Sequence, residues 1–355
     1  MPVLLKPGWL YFLRDRDYRT EMESDYVKIG LTNFERPVTE RIGDHQTGNP
    51  RELYSIHEMQ VSAVSTTENY LHNLYAPLRV HGEWFEMSDN QVNEAVQKSV
   101  YLNDLIEGHR DLIEFGMEIY NAPSNGEIRE ASEDELILAG EWLEAKIRNI
   151  LAKARADLFR ERLRRMMGSC RGIDGVVDFQ DKLRAASIDK GSIKKSHPDL
   201  VDRYSSRKTS ISGSLKAEFT NPRLKALDES LEDQIKREKA GQHPGSEPDE
   251  FEDSIAARTP EIEEAHMGLL SRLGEERESK IHLDLAIDRA KAACGLHDGV
   301  EGLCSWKRVE VESAVIDWKR LAEENPEVVD SNMVPEKRIA AFKIKAYRPY
   351  SLLPS

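Results

Sequence analysis

The sequence predicts an α+β protein: a small N-terminal α/β domain on a short antiparallel sheet, followed by two helix-rich tail units that repeat one another. Three observations predict it. Two β-patterned runs, Trp9-Leu10-Tyr11-Phe12-Leu13 and Tyr26-Val27-Lys28-Ile29-Gly30-Leu31-Thr32, lie close together near the start. Two long stretches with helical apolar spacing begin behind helix-capping residues, Ser132 and Thr259. The residues that follow each long stretch match one another in order.

Between the two strands lies a charged insert, Arg14 to Asp25, longer than a tight hairpin needs. A helix carrying Arg41 and, four residues on, His45 follows the second strand. A further segment holds Thr67-Glu68-Asn69-Tyr70-Leu71-His72, and Gly82-Glu83-Trp84-Phe85 closes the domain near residue 90, with both aromatics expected in its core. Ser88-Asp89-Asn90-Gln91 fits a capping box, in which Ser and Gln satisfy each other's free N–H groups, so a helix is expected over about 91–120. Asn121 to Gly126 breaks it. Ser132-Glu133-Asp134-Glu135 is a second capping box, opening a helix that runs to Met167 and stops at Gly168. Gly241 to Asp253 is a linker by its Gly, Pro, Ser and acidic content, and Thr259-Pro260-Glu261 opens the second long helix. The expected organisation is 1–90 for the α/β domain, 91–130 for a helical connector, 131–225 for a first tail unit, 226–258 for a helix and acidic linker, and 259–355 for a second tail unit.

The repeat is read from residue order. Cys170 to Val176, ending Asp174-Gly175-Val176, is set against Cys294 to Val300, ending Asp298-Gly299-Val300. Phe179 then corresponds to Trp306, Ile188-Asp189 to Ile316-Asp317, Pro198 to Pro326, and Leu200-Val201-Asp202 to Val328-Val329-Asp330, with Phe219 and Phe342 closing the units.

Composition limits what the chain does. With 39% hydrophobic and 32% charged residues the core is modest and the helices are rich in surface. Cys170, Cys294 and Cys304 make no disulfide framework and no CxxC zinc pair, which points to a reducing, cytoplasmic setting. No signal peptide and no membrane partner are expected. Gly295 to Gly299 lacks the Lys-Ser/Thr of a phosphate loop, and His243, His282 and His297 have no metal-ligand spacing. The net charge of −14 argues against a general nucleic-acid binder, yet residues 146–225 carry 20 Lys/Arg against 9 Asp/Glu, while residues 1–90 carry 9 against 14. DNA binding is therefore expected at the basic block, through Arg160, Arg162, Arg164, Arg165, Lys194, Lys195, Arg207 and Lys208.

The order Trp9-Leu10-Tyr11, Lys28-Ile29-Gly30, Arg41 with His45, Glu68 with His72, and Gly82-Glu83-Trp84-Phe85 resembles the GIY-YIG nuclease superfamily, in its phage-type branch where Lys replaces the second tyrosine. The first motif departs from the family name, with Trp-Leu-Tyr for Gly-Ile-Tyr. The resemblance implies a metal-dependent DNA endonuclease. Tyr11 would be the base, Lys28 and Arg41 the cations, and His45 the neighbour of the attacking water. Glu68 would be the single ligand of Mg²⁺ or Mn²⁺, and His72 would reach the same pocket. A free tyrosine, with a pKa near ~10, is a poor base at neutral pH, so Lys28 and Arg41 are expected to lower it. Asp298-Gly299, Ser305-Trp306-Lys307, Ile316-Asp317, Pro326-Glu327 and Phe342-Lys343-Ile344-Lys345 resemble the C-terminal segment of phage YqaJ-type recombination exonucleases, which implies a phage or prophage origin and transfers no catalytic residue. DNA is the expected partner, with a recombination, phage or host protein as a further one. Two alternatives stand beside the endonuclease: a non-cleaving DNA-binding protein on the same scaffold, and a phage interaction or inhibitor protein.

Overall fold

Strand alternation buries both faces of the first strand, so helices cover the N-terminal sheet on both sides. The computed structural model describes residues 3–218, 222–239 and 252–347. The chain begins with β1 (Gly8–Arg16), β2 (Glu23–Asn33), α1 (Val38–Gln46), β3 (Glu52–Val61), α2 (Val64–Leu74), β4 (Arg79–His81) and β5 (Trp84–Glu86). These strands form one antiparallel sheet in the order β3-β1-β2-β5-β4. Leu10, Phe12, Val27 and Ile29 lie in one core with Leu71, Tyr75 and Phe85, while Tyr11 and Leu13 pack with Val38 and Ile42 of α1. The charged insert is no open loop: β1 and β2 extend into it, and Asp17 closes the turn by accepting the N–H groups of Arg19 and Thr20.

The helix expected over 91–120 is two helices, α3 (Asp89–Glu107) and α4 (Arg110–Tyr120), with Gly108 and His109 between them. The Ser88–Gln91 capping box opens α3 as expected. Then come β6 (Ile128–Arg129) and α5 (Glu133–Met167), opened by the Ser132–Glu135 box and ended at Gly168. The rest of the first half is β7 (Gly172–Ile173), β8 (Val177–Arg184), β9 (Ser187–Ile188), α6 (Lys190–Ser196), α7 (Pro198–Arg203), β10 (Ser205–Ser212), β11 (Lys216–Ala217) and α8 (Pro222–Lys239). The second half is α9 (Pro260–Cys294), β12 (Gly299–Val300), β13 (Cys304–Ser305), β14 (Val309–Ile316), α10 (Trp318–Glu324), α11 (Pro326–Asp330), β15 (Met333–Val334) and β16 (Lys337–Ile344). Thr259 caps α9, with Pro260 in its first turn. Of the expected linker only Glu252 and Asp253 lie within the described residues, and Phe219 and His243 lie outside them.

The two halves run through similar elements and interlock. The long helices α5 and α9 lie antiparallel, Glu141 meeting Arg289 at one end and Arg155 meeting Glu275 further along. β8 pairs with β16, β9 with β15, β10 with β14, and β11 with β13, all antiparallel and each joining one half to the other. Asp189 and Asp317 cap corresponding short helices, and Pro198 and Pro326 open the next ones. The match set at Asp-Gly-Val is out of step by three residues. Gly168 and Gly295 end the long helices with nearly the same backbone angles, so Gly172 stands where Gly299 does, and Gly175 where Gly302 does. At Gly172 and Gly299 a Cβ would lie 2.6 and 2.8 Å from the carbonyl oxygens of Val177 and Cys304, a close approach that glycine alone permits. Phe179 pairs with Phe342 through the backbone, its side chain lying outside the described set, and Trp306 is buried beneath Arg308.

The helix α9 also belongs to the N-terminal core. Its Ile281 and Leu285 share a cluster with Leu71, Tyr75 and Leu102, and Gly274 meets the backbone of Leu74. Packing of this kind fixes the sheet relative to the tail.

Candidate active site

Tyr11 stands opposite Gly30 in the β1–β2 register, and its ring lies across that glycine. A Cβ on Gly30 would sit 2.6 Å from the Tyr11 hydroxyl and 2.7 Å from Cε2, so the missing side chain leaves room for the ring to cross β2. β5 pairs with β2 only from Tyr26 to Lys28, and the Gly82 turn with φ 54° carries the chain away. The Ile29 N–H still donates to the Glu83 carbonyl at 3.1 Å, and beyond it the edge of β2 is open to side chains from α1 and α2.

From α1 come Arg41 and His45, one helical turn apart. The His45 Nε2 is 3.3 Å from the Tyr11 hydroxyl. The Arg41 guanidinium lies beside the same hydroxyl and 3.3 Å from Asp44. Tyr11 is 1% exposed. Burial pushes its pKa up, and Arg41 only partly opposes this, with Glu83 and Glu68 adding to the rise. This corrects the expectation that cations lower Tyr11: desolvation outweighs Arg41. Lys28, 5% exposed, forms an ion pair with Glu83 rather than serving the tyrosine. His45 is pushed down by burial, then by Lys28 and Arg41, which keeps its imidazole uncharged at neutral pH.

From α2 comes Glu68. Burial, then the charge of Glu83, raises its carboxyl to about 7, against the lowering pull of Lys28 and Arg41. Among the described residues it has no hydrogen-bond or ion-pair partner. Lys28 and Arg41 only partly offset the burial of this carboxylate and the charge of Glu83 beside it, and a hard divalent cation would supply the balance. No group of three or more His, Cys, Asp or Glu comes together as a metal cage among the described residues. The donor set thus suits an ion that keeps most of its waters, as Mg²⁺ does. His72 departs from its expected place: its Nε2 donates to the Ile29 carbonyl at 2.9 Å and its ring packs on Phe85. It braces the open edge of β2 instead of pointing freely into the pocket.

Sequence reasoning missed Glu83 and Arg79. Burial raises Glu83, but the Lys28 ammonium outweighs this and holds it below the usual carboxylate range. Arg79 donates to the His72 carbonyl at 2.7 Å and lies 5.2 Å over the Phe85 ring, and burial lowers its pKa. Of the two aromatics expected in the core only Phe85 is buried there, Trp84 being partly exposed. The Gly-Glu-Trp-Phe motif held the signal for Glu83 as a charged residue between a turn glycine and that core strand.

The basic block is not one surface. Arg160 pairs with Asp157 and with Glu276 of α9, and Arg164 pairs with Glu161 and lies over Phe342. Arg162 stacks on Phe159, and Arg165 is also engaged. Lys194 and Lys195 sit at the end of α6, and Arg207 and Lys208 on β10, where Arg207 pairs with Glu312. Acids next to them in α5 and acids distant in sequence share in these pairings: Asp157 and Glu161 lie three residues from their arginines, whereas Glu275, Glu276 and Glu312 reach Arg155, Arg160 and Arg207 from the second half.

A family model for the T5orf172 domain, which is phage-associated, matches residues 8–100. The match spans the sheet, α1, α2 and most of α3. No curated protein and no solved structure matches the chain. Among the described residues no helix is long and apolar enough to cross a membrane.

Proposed function

We propose, on the premise that residues 8–100 form a phage-associated T5orf172 domain, that this chain is a divalent-metal-dependent DNA endonuclease of the GIY-YIG type. The observation that carries the reading is the convergence of Tyr11, Arg41, His45 and Glu68 at the open edge of β2. Each has a part in phosphodiester hydrolysis. The Tyr11 hydroxyl and the uncharged His45 imidazole form one proton-accepting pair for an attacking water. Arg41 neutralises a phosphoryl oxygen, and Lys28, released from Glu83, a second. Glu68 would hold Mg²⁺ or Mn²⁺, which when bound supplies Lewis-acid stabilisation of the leaving oxygen. Gly30 and His72 position the tyrosine and the β2 edge. The similar order of elements in the two tail halves is read as a duplicated unit that contacts DNA or a recombination, phage or host protein.

One observation favours a second reading, a DNA-binding protein that does not cleave: Tyr11 is nearly inaccessible and its pKa is raised. Supercoiled plasmid incubated with and without Mg²⁺ separates the two. Cleavage that needs the metal and is lost in Glu68→Ala, and strongly reduced in Tyr11→Phe and Arg41→Ala, supports the nuclease. DNA binding without any cleavage supports the second reading.

A further inference from the structure

A groove of about 460 Å³ lies between the edge strand β4 and the end of β16, lined by Arg79, His81, Asp174, Gly175, Lys343 and Lys345 among others. We propose that this groove binds the phosphate backbone of the DNA next to the cleavage pocket. The inference rests on the reading that the chain acts on DNA, and it names the path that DNA takes.

Charge is the first argument. The protein is acidic overall, and most arginines near the sheet are paired: Arg14 with Asp89, Arg16 with Glu52, Arg36 with Asp44, Arg51 with Asp15. In the groove no carboxylate forms an ion pair with Arg79, Lys343 or Lys345 among the described residues, and Asp174 is the one acid among its lining residues. Arg79 has a carbonyl and a ring for neighbours and Lys343 stands across the ladder from Asp178, yet among the described residues none of the three cations is held in an ion pair, and such a grouping in an acid-rich chain suits an anion.

Position is the second. His81 pairs with Trp84 across β4–β5, and Trp84 with Lys28 across β5–β2, so the groove begins two strands, roughly 10 Å, from Lys28. Arg79 joins the two places, because it holds the His72 carbonyl on one side and lines the groove on the other. That span suits a few phosphates of one strand, which succeed one another every ~3.4 Å along a duplex axis.

Rigidity is the third. The Lys345 N–H donates to the Val176 carbonyl at 2.8 Å, and its own carbonyl accepts from the buried His266 at 2.8 Å. Lys343 stands in the β8–β16 ladder opposite Asp178. Both lysine side chains are exposed on a fixed backbone, so the cations are placed in advance of binding.

The test is DNA binding by the full chain, read by fluorescence anisotropy of a labelled duplex with EDTA present, over a salt series. Lys343→Gln/Lys345→Gln alters exposed side chains alone. The salt slope should become shallower by about 1.8, roughly 0.9 for each phosphate that the variant no longer neutralises. Between 50 and 200 mM salt the wild type should then lose roughly tenfold more affinity than the variant. An unchanged slope, or a wild type that binds no DNA, overturns the groove. A cleavage assay run beside it keeps the two readings apart. A shallower slope in a chain that never cleaves upholds the groove and removes the nuclease. Metal-dependent cleavage with no change in slope upholds the nuclease and removes the groove.

Discussion

Gly30→Ala is the sharpest perturbation of the pocket, because one methyl group meets one side chain. The added Cβ would lie 2.6 Å from the Tyr11 hydroxyl and Cζ, where carbon contacts are relaxed near 3.5–4.0 Å, so the ring must move by about 1 Å. Tyr11 is buried among Trp9, Leu13, Val38 and Ile42 and has little room to yield. Overpacking of this kind costs about 1–3 kcal/mol, offset in part by roughly 0.5–1 kcal/mol that alanine gains over glycine in a strand. The expected net loss is then between about 0 and about 2.5 kcal/mol. The assay is a double-mutant cycle in urea. Gly30→Ala is measured in the wild type and again in a Tyr11→Ala background, where the clash has gone. The cost should vanish or change sign in that background, giving a coupling of about 1 kcal/mol or more. Equal costs in both backgrounds would refute the account of Gly30. Cleavage by the single variant should fall about 10²-fold, since a 1 Å misplacement of a reacting group has that effect.

The remaining predictions concern charge. Glu68 carries a carboxyl raised from 4.5 to about 7, so the folded state binds a proton that the unfolded state has lost. Stability should therefore fall as pH rises from about 4.5 to about 7, by at most about 3 kcal/mol and by less in proportion to solvent screening. Glu68→Gln should flatten that fall, as read by urea midpoints across the range. Mg²⁺ or Mn²⁺ binds the ionised carboxylate, so thermal stabilisation by the metal should be larger at pH 8 than at pH 6 and absent in Glu68→Gln, as checked by calorimetry. Glu83→Gln leaves the buried Lys28 ammonium without its partner and should cost about 1–3 kcal/mol in urea, and Lys28→Met in the same chain should recover part of it. Arg160→Ala breaks contacts to Asp157 and Glu276, so it should lower stability while leaving the salt slope of DNA binding unchanged.

The fold was legible where the signal was local. Two capping boxes, the Thr259-Pro260 start and the Gly168 stop set helix ends through contacts within a few residues. β1 and β2 were legible because apolar runs read as strands when they are rich in aromatic residues, as in β1, or β-branched ones, as in β2. β4 and β5 were not, since three residues hold too little pattern. The break at Gly108 was missed because a lone glycine is tolerated inside a helical pattern. The exchange of strands between the two halves lies beyond any local signal, because pairing such as β8 with β16 is decided by tertiary packing.

The pocket was legible as a set of residues and not as a circuit of charges. Spacing along α1 put Arg41 and His45 on one face, and both meet Tyr11. No spacing rule could say that Lys28 would be taken by Glu83, 55 residues away, or that burial would outweigh Arg41 at the tyrosine. Nor does a count of basic residues from 146 to 225 show that Glu275 and Glu276 reach Arg155 and Arg160 from a helix that begins a hundred residues later.

The central claim is that the open edge of β2 hydrolyses DNA with help from a metal on Glu68. Cleavage of supercoiled plasmid by the purified chain, titrated with Mg²⁺ and run beside folded Glu68→Ala, tests it most directly. The account predicts nicked or linear product that rises with Mg²⁺ in the wild type and none above background in the variant. Equal cleavage by the two proteins, or none by the wild type at any Mg²⁺ or Mn²⁺ concentration, would contradict it.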